Sequence, residues 1–144
     1  MRVLVLAVGS PGGPEVGPPV RAYEERAGRY FDLEVIEVRP APGSVTDDEG
    51  RRREAEALLE RLPEELESFA LTREGKGLTS EGLARHLGRL GTYGRDGAAF
   101  LVGGARGLGD RALGAVDHRL SLSPMTLPHG VARLVLAEQL YRAG

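Results

Sequence analysis

Cysteine and tryptophan are absent from these 144 residues, and lysine occurs once, at Lys76. Without cysteine there can be no disulfide, no thiolate metal site and no cysteine nucleophile. Histidine is scarce: His86, His118 and His129 are scattered, none has a partner at metal-ligand spacing, and no metal is expected. Long apolar runs are missing too. No stretch approaches the roughly 18 residues of a transmembrane helix, and Arg2 with the short run after it does not make a signal peptide. A cytoplasmic protein with no membrane association is expected. Charge of one sign is also lacking, since the formal net charge is −2. That balance argues against holding nucleic acid by bulk charge alone, although a local basic face stays open. The preference for arginine over lysine is read as compositional bias.

What remains is an ordinary globular composition, 41% hydrophobic and 28% charged. The length favours a single domain over 1–144 and buries roughly two-thirds of the unfolded surface, enough for a core without staples. Arg2 to Val8 is a valine-rich apolar run of the kind that a strand buried on both faces needs. It ends in a Gly-Pro loop through Pro18 and Pro19. Val20 to Tyr30 has helical spacing, with Val20, Tyr23, Ala27 and Tyr30 on one face. Leu33, Val35, Ile36 and Val38 form a second strand stopped by Pro40. After a loop from Ala41 to Asp48, with Asp47 or Asp48 as N-cap, Glu49 to Leu62 forms a charged helix buried through Ala55, Leu58, Leu59 and Leu62. Its Arg51, Arg52 and Arg53 read first as a solvated face paired to Glu54 and Glu56, second as a contact to RNA phosphates.

Leu66 to Leu71 is a third strand, with a loop from Thr72 to Gly77 behind it. Thr79 or Ser80 caps a helix that runs to about Leu90, where Gly91 to Gly94 closes it. Ala98 to Val102 is a fourth strand, Asp110 to Val116 a short helix and Arg119 to Leu122 a fifth strand. Val131 to Tyr141 is the last helix, and its apolar set of Val131, Leu134, Val135, Leu136 and Leu140 is broad enough to face both a core and a partner. Strands alternating with helices predict an α/β fold on a mainly parallel sheet of five to six strands flanked by helices.

Two loops stand out, Gly103 to Gly107 and Ser121 to His129, each at the end of a strand. In open α/β sheets, ligands settle outside the carboxyl ends of strands. Gly103 and Gly104 permit close backbone approach, but neither a Walker A loop nor a complete dinucleotide fingerprint is present. A tight strand-to-helix turn and a ligand loop are equally good readings of those glycines.

The successive motifs Leu71-Thr72-Arg73-Glu74-Gly75-Lys76, Val102-Gly103-Gly104-Ala105-Arg106-Gly107-Leu108, Ser121-Leu122-Ser123-Pro124-Met125-Thr126-Leu127-Pro128-His129 and Ala137-Glu138-Gln139-Leu140-Tyr141-Arg142 resemble those of the RlmH family. These are SPOUT-class, S-adenosylmethionine-dependent methyltransferases of large-subunit ribosomal RNA, and the likeness runs over the whole chain. It implies a C-terminal trefoil knot, an exception to the rule of unknotted connections. It also implies a homodimer with the last helix at or near the interface and the active site completed by the partner subunit. The methyl donor would contact Leu71, Gly103, Gly104, Leu122, Ser123, Pro124, Met125, Thr126, Leu127 and Pro128. The leucines and Met125 would supply apolar walls, although ordinary core leucines would look the same.

The implied acceptor is N3 of a pseudouridine in the intersubunit-bridge stem-loop of 23S ribosomal RNA, in assembled ribosomes. That nitrogen must lose a proton, so a base or a charge-stabilising donor is needed. His129, Tyr141 and Arg142 are the candidates, with Glu138 and Arg142 also spaced for an intrahelical ion pair. Two departures bear on acceptor recognition and rate rather than on donor binding. Thr72 stands where the family has aspartate, and the family's short His-Pro-Tyr-His tail does not follow Arg142. A donor-binding but catalytically weakened ribosome- or RNA-binding protein is therefore the alternative. An α/β nucleotide-binding module unrelated to methylation is the third reading.

Overall fold

The structure, a computed structural model, describes residues 1–144. Five parallel strands, β1 (Arg2–Val8), β2 (Asp32–Val38), β3 (Leu66–Gly77), β4 (Gly97–Val102) and β5 (His118–Ser121), lie in the order β2-β1-β4-β3-β5. Helices α1 (Gly17–Ala27), α2 (Asp47–Glu60), α3 (Ser80–Leu90), α4 (Asp110–Ala115) and α5 (His129–Ala143) connect or follow them. No helix is long and apolar enough to cross a membrane.

The apolar runs explain the sheet's centre. β1 sits between β2 and β4, and its residues point alternately into two separate cores. Val3, Val5 and Ala7 join Phe69, Phe100, Leu83, Leu87, Leu136 and Leu140 beneath α1, α3 and α5. Leu4, Leu6 and Val8 join Ala55, Leu58, Leu101 and Ala112 beneath α2 and α4. A strand feeding two cores cannot alternate apolar with polar, which is why Arg2–Val8 reads as a continuous run. Gly97 opens β4 because a Cβ there would lie 1.8 Å from the Arg2 carbonyl oxygen.

Several boundaries differ from expectation, each for a local reason. Pro18 and Pro19 belong to the first turn of α1 rather than to the loop, since a proline there gives up an amide that has no intrahelical partner. Tyr30 lies beyond that helix and is exposed. Thr46, not Asp47 or Asp48, caps α2: its hydroxyl accepts from the Glu49 amide at 3.2 Å, leaving the acids to fill the first turn. Thr79 caps α3 in the same way.

The larger difference is β3, whose expected loop from Thr72 to Gly77 is strand. The strand pairs with β5 up to Leu71, bulges, and pairs again at Lys76 and Gly77. Gly75 makes this possible, because a Cβ there would stand 2.6 Å from the Arg119 backbone carbon. The polar stretch disguised itself because most of it lies exposed beyond the core.

The triple arginine is indeed a solvated, paired face, but not with Glu54 and Glu56. Arg51 bonds Asp48, and Arg52 and Arg53 meet Glu49, one turn earlier. Glu56 pairs with Arg111 instead.

Candidate active site

The two conspicuous loops follow β4 and β5, which flank β3 in the sheet, so they emerge on either side of that strand. Leu71, Leu122, Ser123, Met125 and Leu127 converge with Thr72, Arg73 and Ala132 around a cleft of about 90 Å³. Leu71 and Leu122 are half-buried and do both jobs considered for them: they lean on the core and they line the cleft. Met125 is 73% exposed, unusual for so apolar a side chain, while Pro124, Thr126 and Pro128 are exposed on the same loop.

Local hydrogen bonds shape that loop. The Ser121 hydroxyl donates to the Ser123 carbonyl at 2.9 Å, and the Met125 amide donates to the Ser123 hydroxyl at 3.0 Å. Across the cleft, the Arg73 guanidinium donates to the Thr126 hydroxyl at 3.2 Å and ties the loop to the bulge of β3. Such side-chain-to-backbone bonds hold a loop that no ladder supports.

Gly103 and Gly104 do not line this cleft. They stand at the adjacent strand end, where the turn folds back so that the Gly107 amide donates to the Gly104 carbonyl at 2.9 Å. A Cβ on Gly103 would lie 2.7 Å from the Gly107 carbonyl carbon, and one on Gly104 would lie 2.9 Å from Val8 Cγ1. Turn geometry by itself accounts for both glycines. Arg106 in this turn reaches back to Glu54 at 3.1 Å, to Asp47 and to the carbonyls of Ala41 and Pro42. It therefore anchors the turn to α2.

His129 opens α5, half-buried behind Pro128. Gly130 beside it sits so tightly that a Cβ would lie 2.1 Å from the Pro11 carbonyl oxygen, which seats the helix start against the loop after β1. Tyr141 and Arg142 are at the other end of α5. Twelve residues of helix put them about 18 Å from His129 along the axis, so one chain does not bring the three candidates together. Tyr141 packs between Tyr23 and Tyr30 at ring distances of 6.0 and 5.9 Å. Arg142 makes the expected intrahelical pair with Glu138, at 2.6 Å.

Sequence reasoning missed what fixes α5 in place. Arg133 is 2% exposed and donates to both oxygens of Glu24 on α1, at 2.7 and 3.1 Å, and to Glu37 on β2. Burial alone would lower the guanidinium's pKa, but the hydrogen bonds it donates to Glu24 and Glu37 outweigh it and hold the group above its ordinary value. No local pattern marks this network, whose members meet only through the fold. The same holds for Glu67, His86 and His118, which the sequence separates and the structure gathers.

A family model described as "Predicted SPOUT methyltransferase" matches residues 1–144. The chain is 45% identical to the ribosomal RNA large subunit methyltransferase H of Gemmatimonas aurantiaca, over all of this chain and 94% of that protein. It is 41% identical to the protein of the same name from Anaeromyxobacter, over 99% of this chain and 93% of that protein. Among solved structures, a probable methyltransferase from Bordetella pertussis Tohama I shares the fold with a TM-score of 0.63 at 19% identity, covering 98% of this chain and 95% of that one. The methyltransferase AviRb of Streptomyces viridochromogenes, solved in complex with the cofactor AdoMet, reaches 0.50 at 16% identity, covering 99% of this chain and 59% of that one. Full-length matches of this kind, on a five-stranded parallel sheet whose strand ends carry the quoted motifs, place the chain in the SPOUT methyltransferases, within the family of ribosomal RNA large subunit methyltransferase H.

Proposed function

We propose that the chain is an S-adenosylmethionine-dependent methyltransferase acting on N3 of a pseudouridine in the intersubunit-bridge stem-loop of 23S ribosomal RNA, in assembled ribosomes. The observation that carries the reading is the cleft at the ends of β3 and β5, where Leu71, Leu122, Ser123, Met125 and Leu127 of two matching motifs converge. These residues fit the donor: apolar walls for its adenine and methionine portions, and a loop backbone at close range. Pro124, Thr126 and Pro128 complete that loop, which on this reading is held in a SPOUT-type trefoil knot. Gly103 and Gly104 would border the donor from the neighbouring turn.

S-adenosylmethionine supplies an electrophilic methyl group on a sulfonium, so the protein's work is to orient the acceptor nitrogen and relieve it of its proton. His129 is the titratable side chain next to the donor loop on the same chain. Tyr141 and Arg142 lie too far along α5 to join it within one protomer, which supports a homodimer in which the partner subunit brings that helix end to the site. A cleft of about 90 Å³ supports the same conclusion, being well short of the roughly 300 Å³ and more of a complete small-molecule site. Half-buried Val131, Leu134 and Val135 on α5 offer the apolar contact.

The test is transfer of labelled methyl from S-adenosylmethionine to ribosomes lacking the modification, with the labelled nucleotide mapped. Label at N3 of the bridge-loop pseudouridine is expected. Donor binding without label would refute the enzyme in favour of a ribosome-binding protein, and absence of donor binding would refute both.

A further inference from the structure

We propose that Glu67, His86 and His118 form a binding site for a divalent transition-metal ion, best matched by zinc, on the α3 face of the sheet. Glu67 lies on β3, His118 on β5 and His86 on α3. Parallel pairing sets Phe69 opposite His118, and α3 lies over the same face with Leu83, Leu87 and Leu90 buried beside His86. One ligand atom from each of the three residues lies within 4.8 Å of the others.

The spacing suits a metal. Tetrahedral zinc with nitrogen and oxygen ligands at about 2.0–2.2 Å holds its donor atoms roughly 3.3 Å apart. Glu67 Oε2 stands 3.3 Å from His118 Nε2 and 2.6 Å from His86 Nε2, so the first of these distances already fits and the second has to open by less than an ångström. Although the His118 side chain is 42% exposed, its Nε2 is buried and makes no hydrogen bond, Glu67 Oε2 standing 3.3 Å away. Such an atom is an exception among buried polar groups and calls for a partner. An ion between the three side chains supplies one.

The surroundings hold the ligands still. The Phe69 ring stacks on His118 at 4.8 Å and meets His86 edge-on at 5.3 Å. A cavity of about 310 Å³ adjoins the cluster and leaves room for a water as fourth ligand. Two imidazoles and one carboxylate select zinc-like ions over magnesium or calcium, which want oxygen donors. Lys76 and Arg119 line that cavity and temper the affinity for any cation. Asp117 does not compete for the ion, because Ser68 and Arg95 hold its carboxylate.

The site is a structural tie. Glu67 lies four residues, about 13 Å of strand, before Leu71 at the cleft, too far to touch a reacting methyl. β5 has only four residues and a single neighbour in the sheet, yet it carries the Leu122 loop. An ion held by His118 would pin that strand to β3 and α3. The inference does not depend on the methyl-transfer reading.

The experiment titrates the EDTA-stripped full chain with Co2+, followed by visible absorption, and then displaces it with Zn2+. One equivalent per chain, with the intense visible bands of four-coordinate cobalt, is expected, and Mg2+ should neither bind nor compete. His86→Gln, His118→Gln and Glu67→Gln should each weaken zinc by more than about tenfold, with circular dichroism in EDTA showing that each variant is folded. Absence of the bands and of stoichiometric zinc would overturn the proposal. So would binding that survives unchanged in the folded His86→Gln/His118→Gln double variant.

Discussion

Replacing Arg133 by alanine withdraws the cation that two carboxylates on different elements share. Its guanidinium is 2% exposed, Glu24 is 9% exposed, and the pair is bidentate. Removing one partner of a buried pair costs about 3–5 kcal/mol, because the remaining charge stays out of water uncompensated. Against a total stability on the order of 5–15 kcal/mol that is about a fifth or more of the whole, or roughly 10 °C in Tm for a chain of this size. The raised guanidinium pKa sets the sign of the pH effect: this stabilisation is fully present below the unfolded-state value and is lost only as pH climbs through the folded one. The difference between Arg133→Ala and the parent should therefore not grow on titration from neutral to mildly alkaline pH. Urea unfolding followed by circular dichroism, at one fixed protomer concentration so that association does not shift the midpoint, measures it. A triple change to Arg133→Met, Glu24→Gln and Glu37→Gln should recover much of the loss, since no charge is then left alone. A loss under about 1 kcal/mol for Arg133→Ala, with unchanged denaturant slope, would refute the reasoning by showing that water reaches the network.

Gly130→Val should unseat the start of α5 from the Pro11 carbonyl, which stands 2.1 Å from its ideal Cβ, and calorimetry should show a lowered Tm together with weakened donor binding. Leu71→Asp places a charge on the apolar wall of the cleft, at a half-buried position of β3 beside its bulge. Its donor Kd should rise at least about tenfold by calorimetric titration, with the circular dichroism spectrum preserved. On the surface, hydrogen bonding from Arg52 holds the Glu49 carboxyl below its usual range, so its contribution to the first turn of α2 is present above that range and fades as pH falls through the lowered value. NMR titration should show the Glu49 midpoint returning upward in Arg52→Ala.

Legibility followed physical locality. β1 and β4 were plain because burial on both faces leaves a continuous apolar signal, and the α3 cap was narrowed to Thr79 or Ser80 because a cap acts within one turn. The outer half of β3 was not, since Thr72 to Gly77 is polar and largely exposed and pairs only with an edge strand. The Arg133 network, Arg106 and the Glu67–His86–His118 cluster were invisible because each depends on distant segments meeting. Part of the candidate site was legible through motif likeness, and the structure does bring Leu71 and the Leu122 loop to one cleft. Of the two readings open for Gly103 and Gly104, the turn supplies a sufficient reason for both.

The length of α5 makes the two-chain site testable without a structure of the dimer. If each site takes His129 from one protomer and Tyr141 and Arg142 from its partner, a mixed dimer of His129→Ala and Arg142→Ala chains has one site carrying both changes and one carrying neither. A two-fold dimer allows no other distribution. Equal mixing after unfolding and refolding gives mixed dimers as about half of the population, each with one intact site of two, so methyl transfer should return to roughly a quarter of the parent rate. Each variant alone should be slow while binding S-adenosylmethionine normally, because neither side chain lines the donor cleft. If all the groups of one site came from one chain, every site in every mixture would carry one defect and nothing would return. Recovery on mixing thus separates a shared site from a self-contained one: failure to recover from two slow parents, with mixed dimers confirmed by mass, would mean that the separation along α5 is spanned within the protomer, whereas a fast Arg142→Ala chain on its own would mean that this side chain takes no part in the chemistry.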